Sequence, residues 1–220
     1  MSLPPHVSVV AVAQGSEAWY AARLGRATAS EAACVLARLK GTGEAATRRN
    51  YRVQLVLERI TGRPQGNGFF SADMQRGTDL EPVARAAYEA RTGAIVRQTG
   101  FLAHQTLAAG ASLDGDLDHF AGIVEIKCPK AATHLDTLRT RTPGEYRAQI
   151  MAQLWLSGAA WCDYVSYHPE FPPPLDLCVV RVMRDEDAIT AYVLALILFL
   201  EEVDQGEAEV RQMLAAGGER

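Results

Sequence analysis

Glu125 and Lys127 stand two residues apart in the run GIVEIKCPK, residues 122–130. Their neighbours Ile123, Val124, Ile126 and Cys128 are mostly apolar and β-favouring. In a strand, residues i and i+2 share a face, so the carboxylate and the ammonium project together while Val124, Ile126 and Cys128 turn the other way. Upstream lies ASLDGDLDHF. If 111–117 pairs antiparallel with 122–128, Asp114 comes to lie beside Glu125. Two carboxylates that close repel unless a cation joins them, and hard oxygen ligands suit magnesium or manganese. A lysine next to such an ion orients and activates a water and neutralises charge on a phosphoryl oxygen. The plain alternative is a surface hairpin with a solvent-exposed Glu–Lys pair, because a bare D…ExK pattern arises often by chance. Asp116 and Asp118 are then assigned to the turn around Gly115.

The elements that must hold these residues follow from caps and periodicity. Ser16 caps a helix running to about Arg23 and ended by Gly25, and Thr28 or Ser30 caps a second. Residues 44–62 keep helical spacing up to Gly62. A Gly/Pro-rich loop is expected over 63–73, then a helix over 74–93 with Pro82 in its first turn, where its missing N–H costs little. Strands at about 95–103, 111–117 and 122–128 make a three-stranded meander. Pro143 opens a helix ended by Gly158, two strands follow near 161–168 and 175–183, and a long helix follows Asp185. The N-terminal stretch reads as an entry strand. This order predicts an α/β (α+β) domain, a mixed central β-sheet flanked by helices.

The chain of 220 residues is expected to form a single domain, 1–220. Its net charge of −4 argues against a simple nucleic-acid coat. The charge is uneven, however: residues 20–63 hold nine basic and three acidic side chains, and 185–220 nine acidic and two basic. A basic surface on an acidic molecule is therefore permitted. The four cysteines are scattered, which signals neither a zinc site nor a disulfide framework and fits a reducing compartment. The start has no basic n-region, and the apolar run 188–200 is too short for a membrane span. The five histidines are dispersed and read as structural, and no Gly-rich phosphate loop points to nucleotide hydrolysis.

Four blocks change the balance. QGSEAWYAARLGRATASE, RGTDLEPVARAAYEARTG, SLDG…VEIKCPK and YRAQIMAQLWLSG…WCDYVSYHP occur in order from about Gln14 to Pro169. Together they resemble the lambda-exonuclease/YqaJ-like viral recombinase family, within the PD-(D/E)xK nuclease superfamily. The resemblance implies a restriction-endonuclease-like core in which Asp114, Glu125 and Lys127 are the catalytic Asp, Glu and Lys. It implies that Glu81 completes the metal site, that Ile126 offers its backbone carbonyl to the metal, and that Gln149 lies against the active site. It assigns Arg23, Ser30 and Ser112 to a 5′-phosphate. Three positions depart from the pattern or extend it. Leu113 replaces a common proline. Met151 stands where a second glutamine is common, so any role of that glutamine is expected to be absent. Met74 falls where lambda-type enzymes place a strand-separating wedge, against a plain packing role.

The function this implies is a magnesium-dependent 5′→3′ exonuclease, with manganese substituting. It would degrade one strand of double-stranded DNA from free 5′-phosphorylated ends to mononucleotides. The remaining 3′ single strand would serve annealing-type recombination with a single-strand annealing protein as partner. A homo-oligomer is implied, a ring trimer threaded by DNA, whose lumen alone needs to be basic and would draw on residues 20–63. A cytoplasmic setting in a bacterial cell, phage- or prophage-encoded and without membrane contact, follows from the same resemblance. The alternatives are a PD-(D/E)xK endonuclease and a non-cleaving DNA-binding or assembly protein.

Overall fold

Hydrophobic alternation over 111–117 does not stay in one sheet. In the computed structural model, which describes residues 3–39, 43–65 and 72–217, the chain changes sheets between Ser112 and Gly115. The first sheet contains β1 (Val7–Val10), β2 (Ala27–Thr28), β3 (Phe101–His104) and β4 (Ala109–Ser112), in the order β1-β3-β4-β2. The second contains β5 (Gly115–Leu117), β6 (Gly122–Lys127), β7 (Trp161–Tyr167) and β8 (Leu177–Met183), in sequence order. Both are mixed: β2 runs parallel to β4 and β6 parallel to β7, and the other pairs are antiparallel. The expected three-stranded meander is therefore corrected to two hairpin halves in separate sheets, with Leu113 and Asp114 at the seam. Gly115 is required there, since a Cβ would come within 2.1 Å of Val96 Cγ1.

Seven α-helices cover the sheets among the described residues: α1 (Glu17–Arg23), α2 (Ala32–Leu36), α3 (Ala46–Thr61), α4 (Ala72–Thr92), α5 (Ala131–Thr140), α6 (Arg147–Ser157) and α7 (Glu186–Gly217). Ser16 caps α1, its side chain accepting from the Trp19 N–H. Gly62 and Gly158 end α3 and α6 in the left-handed conformation, at φ 65° and 70°. The second expected helix is shorter than its pattern. Ala29–Glu31 form a 3-10 turn before α2, and neither Thr28 nor Ser30 caps it by a side-chain bond.

Two other expectations change. α4 begins at Ala72, so Pro82 lies in the helix interior and not in its first turn. The helix is held there by burial of Ala84 and Tyr88 against the second sheet. Tyr88 also donates its hydroxyl to buried Asp163 of β7, at 2.7 Å. Between β6 and α6 lies α5, which carries no side-chain N-cap.

The main core gathers α2, α3, α6 and α7 against the first sheet, and a smaller one lies between α4 and the second sheet. α7 buries Ile189, Tyr192, Leu196, Phe199, Leu200 and Val203, one helical stripe. Beside that stripe the opposite charges of α3 and α7 meet. Arg48 lies 2.6 Å from Glu202, and Arg59 lies 2.5 Å from Asp204. Arg52 reaches both Glu44 and Glu202. Three of the arginines assigned to a basic surface thus face acids of the same chain, which corrects the expectation that residues 20–63 supply most of one. Lys40 lies outside the described residues. No helix among the described residues is long and apolar enough to cross a membrane.

Candidate active site

The register of β5 with β6 pairs Gly115 with Val124, so Asp114, one residue before β5, falls opposite Glu125 at the sheet seam. Its Oδ2 accepts from the Ile126 backbone N–H at 2.6 Å. Glu125 is 1% exposed, and its Oε1 lies 2.5 Å from Lys127 Nζ. The two side chains share a face as the strand period requires. Lys127 also stands 5.1 Å over the Tyr146 ring. Asp116 sits within β5, not in a turn, and is buried with its carboxylate on Arg97 and the Phe120 N–H. Asp118 lies in the turn between β5 and β6, at φ 47°, and not in one around Gly115, which is itself in β5.

α6 completes the surroundings of Glu125. Gln149 Nε2 donates to Oε1 at 2.6 Å, and Gln153 Nε2 donates to Oε2 at 2.6 Å. Gln153 is fully buried and also reaches the Ser112 carbonyl, at 3.2 Å. Met151 itself is core, on a different face of α6 from Gln149 and Gln153. Spacing carries the missed signal: Gln149 and Gln153 are four apart and lie on one helix face.

Glu81 extends toward the same group from α4, where Arg85 Nη2 holds its Oε1 at 2.6 Å. The electrostatics join all four side chains. Burial raises the Asp114 carboxyl well above its ordinary value, and the Glu125 charge adds to the rise. Burial also raises Glu81, against the pull of Arg85 and with a push from Glu125. For Lys127 burial acts downward, but the Glu125 and Asp114 carboxylates outweigh it and the pKa rises. Burial and mutual repulsion therefore make the charged forms of Asp114 and Glu81 costly unless a further cation joins them.

Among the described residues no three His, Cys, Asp or Glu side chains stand in a ready metal-gripping cluster. Glu125 is held by one lysine and two amides, and Glu81 by an arginine. The donor chemistry is nonetheless all oxygen, with carboxyls whose charged forms repel one another, which fits a hard divalent cation and not a soft one.

A second group adjoins the first through Ser112. Its hydroxyl accepts from Trp19 Nε1 at 2.8 Å and from Arg23 Nη1 at 3.3 Å. The Arg23 guanidinium lies 4.2 Å over the Trp19 ring, makes no ion pair with a carboxylate among the described residues, and has its pKa lowered by burial. Trp19 thus belongs to this group, whereas Trp155 packs against His104 and Tyr192. Ser30 is exposed and bonds Thr28, at 3.1 Å, and not Arg23 or Ser112. The Met74 side chain lies outside the described residues, so the wedge falls there too.

The backbone of this chain follows that of an alkaline exonuclease, LHK-Exo from Laribacter hongkongensis. Two crystal structures of it, one in complex with dAMP, are 38% identical to this chain, with TM-scores of 0.84 and 0.82, over 91% of this chain and 99% of theirs. A phage-related exonuclease from Haemophilus somnus 129PT shares the fold at 14% identity and a TM-score of 0.71, over 84% of this chain and 96% of that one. No match occurs among curated proteins. The fold is therefore of the PD-(D/E)xK nuclease type. The model of the YqaJ-like viral recombinase domain matches residues 18–160, and the chain belongs to that family.

Proposed function

We propose that the protein is a divalent-metal-dependent deoxyribonuclease that degrades one strand of double-stranded DNA from 5′-phosphorylated ends, 5′→3′, to mononucleotides. The observation that carries this reading is the convergence of Asp114, Glu125 and Lys127 at the sheet seam, two residues from the serine of an arginine–serine group suited to a terminal phosphate. Glu81, Asp114, Glu125 and the Ile126 carbonyl would hold magnesium, or manganese in its place. Such an ion, when bound, supplies Lewis-acid stabilisation of charge on the phosphate oxygens.

The protein's own part is positioning and charge. Gln149 and Gln153 hold both oxygens of Glu125, fixing the carboxylate plane. Lys127 brings one ammonium to the reacting phosphate, compact enough to sit beside a carboxylate and a water together. Arg23 and Ser112, with Ser30 nearby in sequence, receive the 5′-phosphate, which carries more charge and more free oxygens than an internal diester. The remaining 3′ strand would pass to a single-strand annealing protein. A ring trimer in the cytoplasm of a bacterial cell, encoded by a phage or prophage, belongs to the same proposal.

Substitution at the seam tests the assignment. Glu125→Ala is expected to abolish cleavage while duplex binding persists, because affinity draws mainly on phosphate contacts elsewhere. Lys127→Arg is expected to restore little, since a guanidinium fork cannot take the place of an ammonium. Wild-type turnover by Glu125→Ala in magnesium would sink the reading.

A further inference from the structure

The backbone around Lys127 is fixed on both sides. Asp114 accepts from the Ile126 N–H before it, at 2.6 Å. After it, Arg76 of α4 donates through Nη2 to the Cys128 and Pro129 carbonyls, at 2.8 and 2.6 Å. What this leaves loose is the side chain itself, a compact and strongly hydrated ammonium on a flexible four-carbon stem. Among the described residues its one ion-pair partner is Glu125, whose Oε1 also accepts from Gln149. A single ion pair sets the distance of the ammonium from that oxygen but leaves it free to swing about it.

The second constraint is an aromatic face. A 3-10 turn, Gly144–Tyr146, precedes α6, and the Tyr146 N–H donates to the Pro143 carbonyl at 3.1 Å. The half-buried Tyr146 ring stacks on Tyr164 of β7, with centroids 5.6 Å apart and planes 26° from parallel. Tyr164 is fully buried, and the register of β6 with β7 pairs it with Glu125. The ring is thus supported by the same sheet that carries the carboxylate. Lys127 Nζ stands 5.1 Å from the ring centroid, inside the reach of about 6 Å at which a ring face attracts a cation. A ring face adds this hold without the neutralising charge of a second carboxylate, so the ammonium keeps its pull on a phosphoryl oxygen.

We propose that Tyr146 is a positioning residue, which holds Lys127 at the reacting phosphate through the face of its ring, with Tyr164 as support. The role rests on the nuclease reading above. It belongs to the ring and not to the hydroxyl.

Ring chemistry and kinetics test it together. Phenylalanines bearing one, two or three fluorines are placed at position 146, where fluorine draws electrons from the ring face and leaves its shape nearly unchanged. Steady-state rates on 5′-phosphorylated duplex in magnesium are compared with those of Tyr146→Phe and Tyr146→Leu, each fold being checked by thermal melting. Tyr146→Phe is expected to keep a near-native kcat. Tyr146→Leu is expected to lower kcat about three- to thirtyfold with KM little changed, the span of a cation–π contact between exposed and desolvated sites. Each added fluorine should lower kcat further from the Phe value. In a Lys127→Ala background Tyr146→Leu should cost nothing more, because the two residues act as one pair. An unchanged kcat along the fluorine series, or an equal loss in the Lys127→Ala background, overturns the role. A Phe variant as slow as Leu overturns it too, in favour of the hydroxyl. The fluorine series decides even where Tyr146→Leu does not fold.

A readout without turnover separates this role from the nuclease reading. The chain has three lysines, Lys40, Lys127 and Lys130, so lysine labelled at Cε gives a spectrum that is simple to assign. The Lys127 ε-methylene protons are expected upfield of the other two, shifted by the ring, and back at the ordinary position in Tyr146→Leu. Absence of that shift in a wild type that cleaves overturns the positioning role but not the nuclease. The shift present in a wild type that does not cleave overturns the nuclease reading and the role with it, and leaves only the contact.

Discussion

Gln153 Nε2 donates to Glu125 Oε2 at 2.6 Å from a fully buried side chain, and the same nitrogen reaches the Ser112 carbonyl at 3.2 Å. One amide thus ties the strand that carries Glu125 to the strand end whose hydroxyl meets Arg23. Removing it leaves a buried carboxylate oxygen and a carbonyl short of a donor. A hydrogen bond to a charged group contributes about 1.5–3 kcal/mol. Gln153→Leu is therefore expected to lower kcat roughly ten- to a hundredfold, with KM little changed, and to lower the melting temperature. Steady-state kinetics decide it: a wild-type kcat would reduce Gln153 to core packing.

Arg23 offers its guanidinium, without a carboxylate partner among the described residues, to the Ser112 hydroxyl and the Trp19 face. If that is a terminal-phosphate pocket, wild type digests 5′-phosphorylated duplex about ten- to a hundredfold faster than 5′-hydroxyl duplex. Arg23→Ala should bring this ratio toward one. Initiation rates at multiple turnover are the measurement, because later steps no longer see the original end. An unchanged ratio returns Arg23 to a role at the helix end.

Asp114 gives a pH dependence of stability. Its carboxyl is raised by burial and by Glu125, so in the folded metal-free protein the charged form is the unfavourable one. A group whose folded pKa lies above its unfolded value stabilises the fold fully below the unfolded value. That contribution is lost as pH rises through the folded pKa. Asp114→Asn removes the cost and keeps an acceptor for the Ile126 N–H. In chelator it is expected to melt above wild type at neutral and alkaline pH, and the two curves should converge below the ordinary aspartate value of about 3.9. Added magnesium should raise only the wild-type curve. Parallel curves across the whole pH range would contradict the charge assignment.

Local rules made much of the site readable before any coordinates. The strand period alone puts Glu125 and Lys127 on one face, and simple antiparallel register puts Asp114 beside them. Gly62 and Gly158 end their helices for a backbone reason visible in the chain. What stayed hidden depends on distant partners. Alternation over 111–117 says which way side chains turn but not which sheet they join, so the switch at Leu113-Asp114 was invisible. α5 lacks a cap, and Pro82 is tolerated inside α4 because Ala84 and Tyr88 are buried on the second sheet. The charge of residues 20–63 looked free because its neutralising acids lie about 150 positions away on α7. Gln153 is legible only once Glu125 is known to face α6, since helical spacing then places two donors on it from positions four apart.

The most direct test of the account uses linear duplex, 5′-phosphorylated and labelled at one end or the other, incubated with the protein and magnesium while product sizes are followed in time. The account predicts early release of labelled mononucleotide from the 5′-labelled end. It also predicts a 3′-labelled strand that shortens gradually, and no cleavage in chelator. Discrete internal fragments, or mononucleotide released first from the 3′ label, would contradict it.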